Sequence, residues 1–262
     1  MTRLVLALIF VASIFIGRTF ADDAEQIIGG HNANPGQFPY QVSLRLNGRH
    51  FCGGTLVTQK HVITAAHCIH GIVSAPYNDF TVVTGTISLK SGGQSHRVAT
   101  AEYNPNFKPN ASQSFANDVG VVTLADTVRV NSYQRPISLA SADPPVGAKL
   151  TLSGWGRNNN NQVTLPDILQ TTTVTLLSNA DCQLQLPQQP IYGGHMCAFQ
   201  RKGVGACNGD SGGPLVYNDK LVGIVSWVVP CAKGYPDGYT RVTHYMNFIK
   251  QHINLPQTTC SA

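Results

Sequence analysis

Charge is scarce in this 262-residue chain: Asp, Glu, Lys and Arg together make up only 12% of it. That argues against a helical protein with a salt-bridged surface and fits a β fold rich in Gly, Ser, Thr and Asn. The basic residues form no run and no helical stripe, so a nucleic-acid partner is not expected. No cysteine spacing makes a CxxC knuckle, so neither a metal site nor a cofactor is expected. Past the N-terminus no apolar run approaches the ~20 residues of a membrane span, so a soluble product without a membrane partner is expected. What remains is 42% hydrophobic, enough for one all-β domain or two small barrels packed together.

The first residues point to export. Arg3 supplies a positive start, Leu4 to Ile16 form an apolar stretch of 13 residues, and Thr19-Phe20-Ala21 ends in a small residue. This pattern predicts a secretory signal over 1–21 and a secreted, extracellular product. Asp22 to Gln26 then form a short acidic bridge before Ile27. Removal of 1–26 takes away Arg3, Arg18, Asp22, Asp23 and Glu25, leaving 16 basic and 10 acidic residues and a net charge of +6. Seven cysteines in an exported chain imply disulfides plus one residue left over, and spacing alone does not fix the pairing. Asn110-Ala111-Ser112 is an N-glycosylation acceptor, expected on an exposed loop.

From Ile27 to Arg241 the chain reads as short β runs, such as 40–46, 80–85, 119–124, 149–154, 170–176, 214–216 and 221–225. Turn signals separate them, including Asn47-Gly48 and Ser91-Gly92-Gly93. Many short strands with regular turns suggest a sandwich or a barrel. Asn158–Asn161 reads as an exposed polar tip. Val242, Tyr245, Met246, Ile249 and Ile253 recur at helical spacing, predicting one amphipathic helix laid over the second β unit.

Chemistry concentrates in three segments. Gly209-Asp210-Ser211-Gly212-Gly213-Pro214 places a serine on a tight glycine-flanked turn, where its hydroxyl can project and the Gly209 and Ser211 amides can converge on an oxyanion. A serine hydroxyl is a poor nucleophile until a base takes its proton. His67, in the small apolar segment Thr64-Ala65-Ala66-His67-Cys68, is the candidate base; the eight other histidines are assigned surface or structural roles. Asp118 leads into the apolar run Val119–Leu124, and burying that acid is costly unless it is hydrogen-bonded. Orienting the His67 ring would give it a partner. The order His, Asp, Ser separates this set from subtilisins and α/β-hydrolases.

Together with Ile27-Ile28-Gly29-Gly30, Cys52-Gly53-Gly54-Thr55-Leu56, Ser153-Gly154-Trp155-Gly156 and Ser226-Trp227, these segments resemble a chymotrypsin-like (trypsin-fold) serine endopeptidase from Ile27 to about Leu255. The resemblance implies two six-stranded antiparallel β-barrels and a C-terminal helix. Barrel 1 is expected over about 27–134, barrel 2 over about 135–241 and the helix over about 242–254, within a peptidase domain of 27–262. It implies bridges Cys52–Cys68, Cys182–Cys197 and Cys207–Cys231, each worth about 2–4 kcal/mol, with Cys260 left odd. A zymogen is also implied: cleavage of the 22–26 propeptide would free the Ile27 amine to pair with Asp210, which otherwise is a buried charge without a partner. Gln26 departs from the basic residue that most relatives place before the cleaved bond.

The same resemblance makes Gly205, Ala206, Ser226, Trp227, Val228 and Asp237 the substrate-binding pocket. Gly205 at the base in place of an aspartate disfavours strict Lys/Arg cleavage, while Asp237 puts a carboxylate on the opposite wall. That pair is similar to the brachyurin group of arthropod chymotrypsin-like and collagenolytic enzymes. Val228 stands where glycine is usual and narrows the mouth, as in elastase-like members. The expected activity is therefore chymotrypsin/elastase-like hydrolysis after medium apolar residues. The alternatives are a broad collagenolytic protease with some Arg/Lys cleavage and a catalytically silent homologue that acts by binding. The resemblance further implies peptide and protein substrates, protein protease inhibitors as partners, a monomer, and a digestive, salivary or venom setting. Its calcium-loop region, Thr86–His96, has no Asp or Glu, so no hard-cation site is expected.

Overall fold

Alternating apolar and polar residues bury one face of each strand, and the computed structural model shows how these faces close on themselves. It describes residues 27–157, 164–229 and 231–253. The expected signal, the 22–26 bridge, the Asn158–Asn161 tip and Cys260 lie outside the described residues.

Strand β1 (His31–Asn32) comes first, followed by β2 (Gln41–Leu46), β3 (Arg49–Leu56), β4 (His61–Thr64), β5 (Phe80–Thr84), β6 (Gln94–Tyr103) and β7 (Gly120–Leu124). Strands β2 to β7 close a barrel in the order β2-β3-β4-β7-β6-β5, with every pair antiparallel. Next come β8 (Ser138–Leu139), β9 (Lys149–Gly154), β10 (Gln170–Leu177), helix α1 (Asn179–Gln185), β11 (His195–Phe199), β12 (Pro214–Tyr217), β13 (Lys220–Trp227) and β14 (Asp237–Arg241). The path β10-β11-β14-β13-β12-β9 returns to β10, closing a second six-stranded antiparallel barrel. Two short additions lie off it: β8 pairs parallel with β13, and β1 pairs with β10. The segment after Ile27 therefore crosses onto the second barrel, whereas its place in sequence suggested the first.

The C-terminal helix also packs differently from the sequence expectation. A 3-10 turn (Val242–Tyr245) leads into α2 (Met246–His252). Its apolar residues Val242, Tyr245, Ile249 and Ile253 join the cluster built on Val62, Val121, Val122 and Leu124 of the first barrel. Leu221 and Ile224 of the second barrel share that cluster, so the helix spans both units instead of covering the second alone. His252 Nε2 also lies 3.7 Å from Glu102 on β6. Among the described residues no helix is long and apolar enough to cross a membrane.

Three disulfides join Cys52 to Cys68, Cys182 to Cys197 and Cys207 to Cys231. The first ties β3 to the turn that carries His67, and the last joins the segment before Ser211 to the one before β14.

Candidate active site

Each chemical group sits where a strand ends or a tight turn begins. His67 lies in a 3-10 turn (Ala66–Cys68) directly after β4, with Ala65 and Ala66 buried beneath it. Asp118 precedes β7, which pairs with β4, so the ladder brings the two residues together across 51 positions of sequence. The His67 backbone amide donates to Asp118 Oδ1 at 2.8 Å, and the two bonds together fix the ring. Its Nδ1–H donates to Oδ2 at 2.7 Å. Ser226 Oγ, at the end of β13, donates to the same Oδ2 at 2.6 Å, and Thr240 Oγ1 donates to the Asp118 carbonyl at 2.6 Å. A carboxylate with three donors is a stable buried anion, which answers the desolvation cost of its position.

The His67 side chain keeps 24% of its surface exposed while that of Asp118 has none, so the ring opens toward the cleft. Burial pulls the imidazole pKa down, but the Asp118 charge and hydrogen bond outweigh it and leave His67 above its ordinary value. Phe115 approaches the ring at 6.1 Å between centroids.

The Ser211 turn is docked on the His67 segment by backbone contacts. Gly53 N–H donates to the Ser211 carbonyl at 2.7 Å across the two barrels. A Cβ at Gly212 would lie 2.1 Å from Thr64 Oγ1 and 3.1 Å from the Ala65 nitrogen, so only glycine permits this approach. Ser153 Oγ donates to Gln41 Oε1 at 2.7 Å, a second tie between the barrels. Among the described residues neither the Gly209 nor the Ser211 amide donates a hydrogen bond, which leaves both N–H groups available to an incoming oxygen.

Asp210 is fully buried, with Oδ1 accepting from Gly156 N–H at 2.7 Å and Oδ2 from Cys207 N–H at 2.9 Å. A Cβ at Gly154 or at Gly156 would come 2.0 Å from one of its oxygens, which is the physical content of the Ser-Gly-Trp-Gly segment. Burial pushes its carboxyl up to about 6. Ile27 is equally buried, in the cluster with Ala206 and Leu152, yet in this uncleaved chain no bond joins it to Asp210 among the described residues.

At the pocket, Asp237 Oδ2 accepts from Ala206 N–H at 2.8 Å and would meet a Cβ at Gly205 at 2.5 Å. The missing side chain at 205 is thus the space the carboxylate fills. Its Oδ1 has no partner among the described residues, and burial holds its pKa well above the usual range. Val228 is half-buried and packs against the cluster of Cys207 and Cys231 and against that of Ala206. Gly238, on β14, faces the Trp227 ring so closely that a Cβ would overlap it. Sulfurs of Cys52 and Cys68 lie within 4.8 Å of a His67 ring nitrogen, but both are consumed in the disulfide and offer no thiolate to a metal. Asn110 is exposed; its Oδ1 accepts from Gln113 N–H and Ser112 Oγ, so the amide nitrogen stays outward.

Sequence reading passed over His50, which the register of β2 and β3 places against the Gly209 carbonyl. Its only signal was the Arg45–His50 pairing, invisible before the hairpin is closed.

Two six-stranded barrels meeting at a His–Asp pair and a glycine-bound serine define a serine-endopeptidase architecture. The family model described as Trypsin matches residues 27–249, and the chain belongs to that family. It is 35% identical over 252 residues to serine protease 1 of Rattus norvegicus, covering 95% of this chain and 97% of the relative. Anionic trypsin of Bos taurus is 35% identical over 244 residues, covering 91% and 95%. The solved structure of neuropsin, a serine protease expressed in the limbic system of mouse brain, superposes with a TM-score of 0.78 at 32% identity, covering 86% of this chain and 98% of that one. The protein is a trypsin-family serine endopeptidase, a hydrolase acting on protein substrates. These relatives are vertebrate trypsins, so the brachyurin likeness rests on the pocket residues alone.

Proposed function

We propose that Ser211, His67 and Asp118 hydrolyse peptide bonds through an acyl-enzyme, in a secreted zymogen that frees Ile27 to become active. The observation that carries this reading is the pair of His67–Asp118 bonds beside the Ser211 turn. Asp118 holds the Nδ1 proton, so the other ring nitrogen is left to take the Ser211 hydroxyl proton as Oγ bonds to the substrate carbonyl carbon. The carbonyl oxygen becomes an oxyanion and accepts from the Gly209 and Ser211 amides. Collapse breaks the C–N bond, and His67 returns the proton to the leaving amine. Water then repeats the sequence on the ester, with His67 again as base, releasing the acid.

For specificity, Gly205, Ala206, Trp227 and Val228 favour a medium apolar residue such as Leu in the pocket, with the Asp237 acid held largely neutral by burial. The unpartnered Asp237 Oδ1 supports a second, weaker activity after Lys or Arg, which increases as pH rises and the acid ionises. The Ser226 backbone pairs with the extended substrate strand. The three bridges fit an extracellular setting.

The test is peptide-library profiling of the processed enzyme, with its N-terminus sequenced and Ser211→Ala as control. Activity should fall about 10⁴–10⁶-fold in the control. Wild type that cleaves no peptide and ignores an organophosphonate defeats the enzymatic reading; dominant cleavage after Arg or Lys defeats the apolar one.

A further inference from the structure

Three successive peptide planes carry the two amides that face the oxyanion, and each carbonyl is held by one donor. The Asn208 carbonyl, on the plane bearing Gly209 N–H, accepts from Arg157 N–H at 2.9 Å. The Asp210 carbonyl, on the plane bearing Ser211 N–H, accepts from Gly213 N–H at 2.9 Å. Between them lies the Gly209–Asp210 plane, which sets the angle between the two free amides. Its N–H donates to the Cys207 carbonyl at 3.0 Å, while its carbonyl accepts only from His50 Nε2, at 3.0 Å, among the described residues. The outer planes are held by backbone and the middle one by a side chain. Gly209 sits at φ +105°, a conformation other residues rarely adopt, so the plane needs an external restraint to stay there.

We propose that His50 is a positioning residue for the oxyanion hole, locked in its donating tautomer by a relay from Arg45 through Ser43. A bond to a carbonyl requires a proton on Nε2. Nδ1 lies 2.8 Å from Ser43 Oγ and is then the acceptor, so the Ser43 hydroxyl points at it. Arg45 Nε donates to Ser43 Oγ at 3.2 Å, occupying one of its lone pairs and turning its proton toward the ring. The register makes this possible: Arg45 pairs with His50 across β2 and β3, a bulge falls between Leu44 and Arg45, and Ser43 lies two residues along. The ring is wedged edge-on against Trp155 at 5.5 Å. Burial pushes His50 down to about 4, consistent with a single ring proton at neutral pH.

This inference rests on the acyl-transfer reading above, and the experiment separates the two. Processed wild type, His50→Phe and His50→Gln are compared for kcat, KM, thermal midpoint and inhibition by a peptide boronate, whose tetrahedral adduct places an oxygen in the hole. The Phe ring keeps the packing and loses the donor; Gln restores an N–H near the Nε2 position. In His50→Phe we expect kcat to fall about 10–100-fold with KM within about twofold, and boronate Ki to rise by a similar factor. His50→Gln should recover most of that loss. Unchanged kcat and Ki in His50→Phe, a loss confined to KM, or an equal loss in Phe and Gln overturns the proposal. Should His50→Phe not fold, Ser43→Ala decides: a fall of about threefold or more in kcat supports the relay, and wild-type kcat overturns it. Inactive wild type defeats the acyl-transfer reading instead.

Discussion

Processing and pH act on the same buried carboxyl, Asp210. In the uncleaved chain it has two backbone donors and no cation among the described residues, and burial lifts it from 3.8 to about 6. The raised value means the fold is favoured while the group stays protonated, below pH 4, and that advantage is lost as pH rises through about 6. Roughly two units at about 1.4 kcal/mol each give a loss of about 3 kcal/mol by pH 7. Freeing the Ile27 amine adds an ammonium to this buried region and keeps the carboxylate ionised, so the processed chain escapes the loss until the amine itself deprotonates near pH ~8. The assay is urea unfolding of two Ser211→Ala proteins with disulfides intact, one starting at Ile27 and one retaining residues 22–26, at pH values from about 4 to 7. The stability difference between them should widen by about 3 kcal/mol over that range, and Asp210→Asn in the longer protein should abolish the trend. A difference that stays flat with pH would refute the argument.

Ser226→Ala removes one of three side-chain acceptor contacts of Asp118 and should lower kcat/KM by about three- to tenfold; a loss beyond about 100-fold would mean Ser226 does more than support the carboxylate. Gly156→Ala puts a methyl 2.0 Å from an Asp210 oxygen and should yield no active enzyme, whereas Gly193→Ala, whose nearest neighbour is His244 at 3.8 Å, should be produced at wild-type level; secreted yield and activity of both check this. Asn110 should carry a glycan, seen as a mass loss on glycosidase treatment and absent in Ser112→Ala, which removes the acceptor sequence while keeping the Asn110 bond to Gln113 N–H.

Legibility followed the range of the interaction. Strands whose apolar alternation is local, such as Lys149–Gly154, could be read directly. Arg49–Leu56 hides its strand behind Gly53 and Gly54, which look like a turn until the Ser211 loop packs against them. Helix α1 carries a capping signal, Ser178 followed by Asp181, too short to stand out from the surrounding loops. The apolar face of the C-terminal helix was plain, but which barrel it covers depends on the path of the chain after β14, and no residue of the helix encodes that path.

By itself the sequence determined the reacting groups, because a glycine-bound serine, a histidine among small residues and an acid before an apolar strand are local patterns. It also held all six bridging cysteines. Tertiary structure alone decided how those groups are held: the β4–β7 ladder that brings Asp118 to His67, the Gly205 gap that Asp237 fills, and the β2–β3 register that turns His50 toward the Gly209 carbonyl. Each joins residues far apart in sequence through a register or a close approach, and such geometry exists only once the barrels have closed.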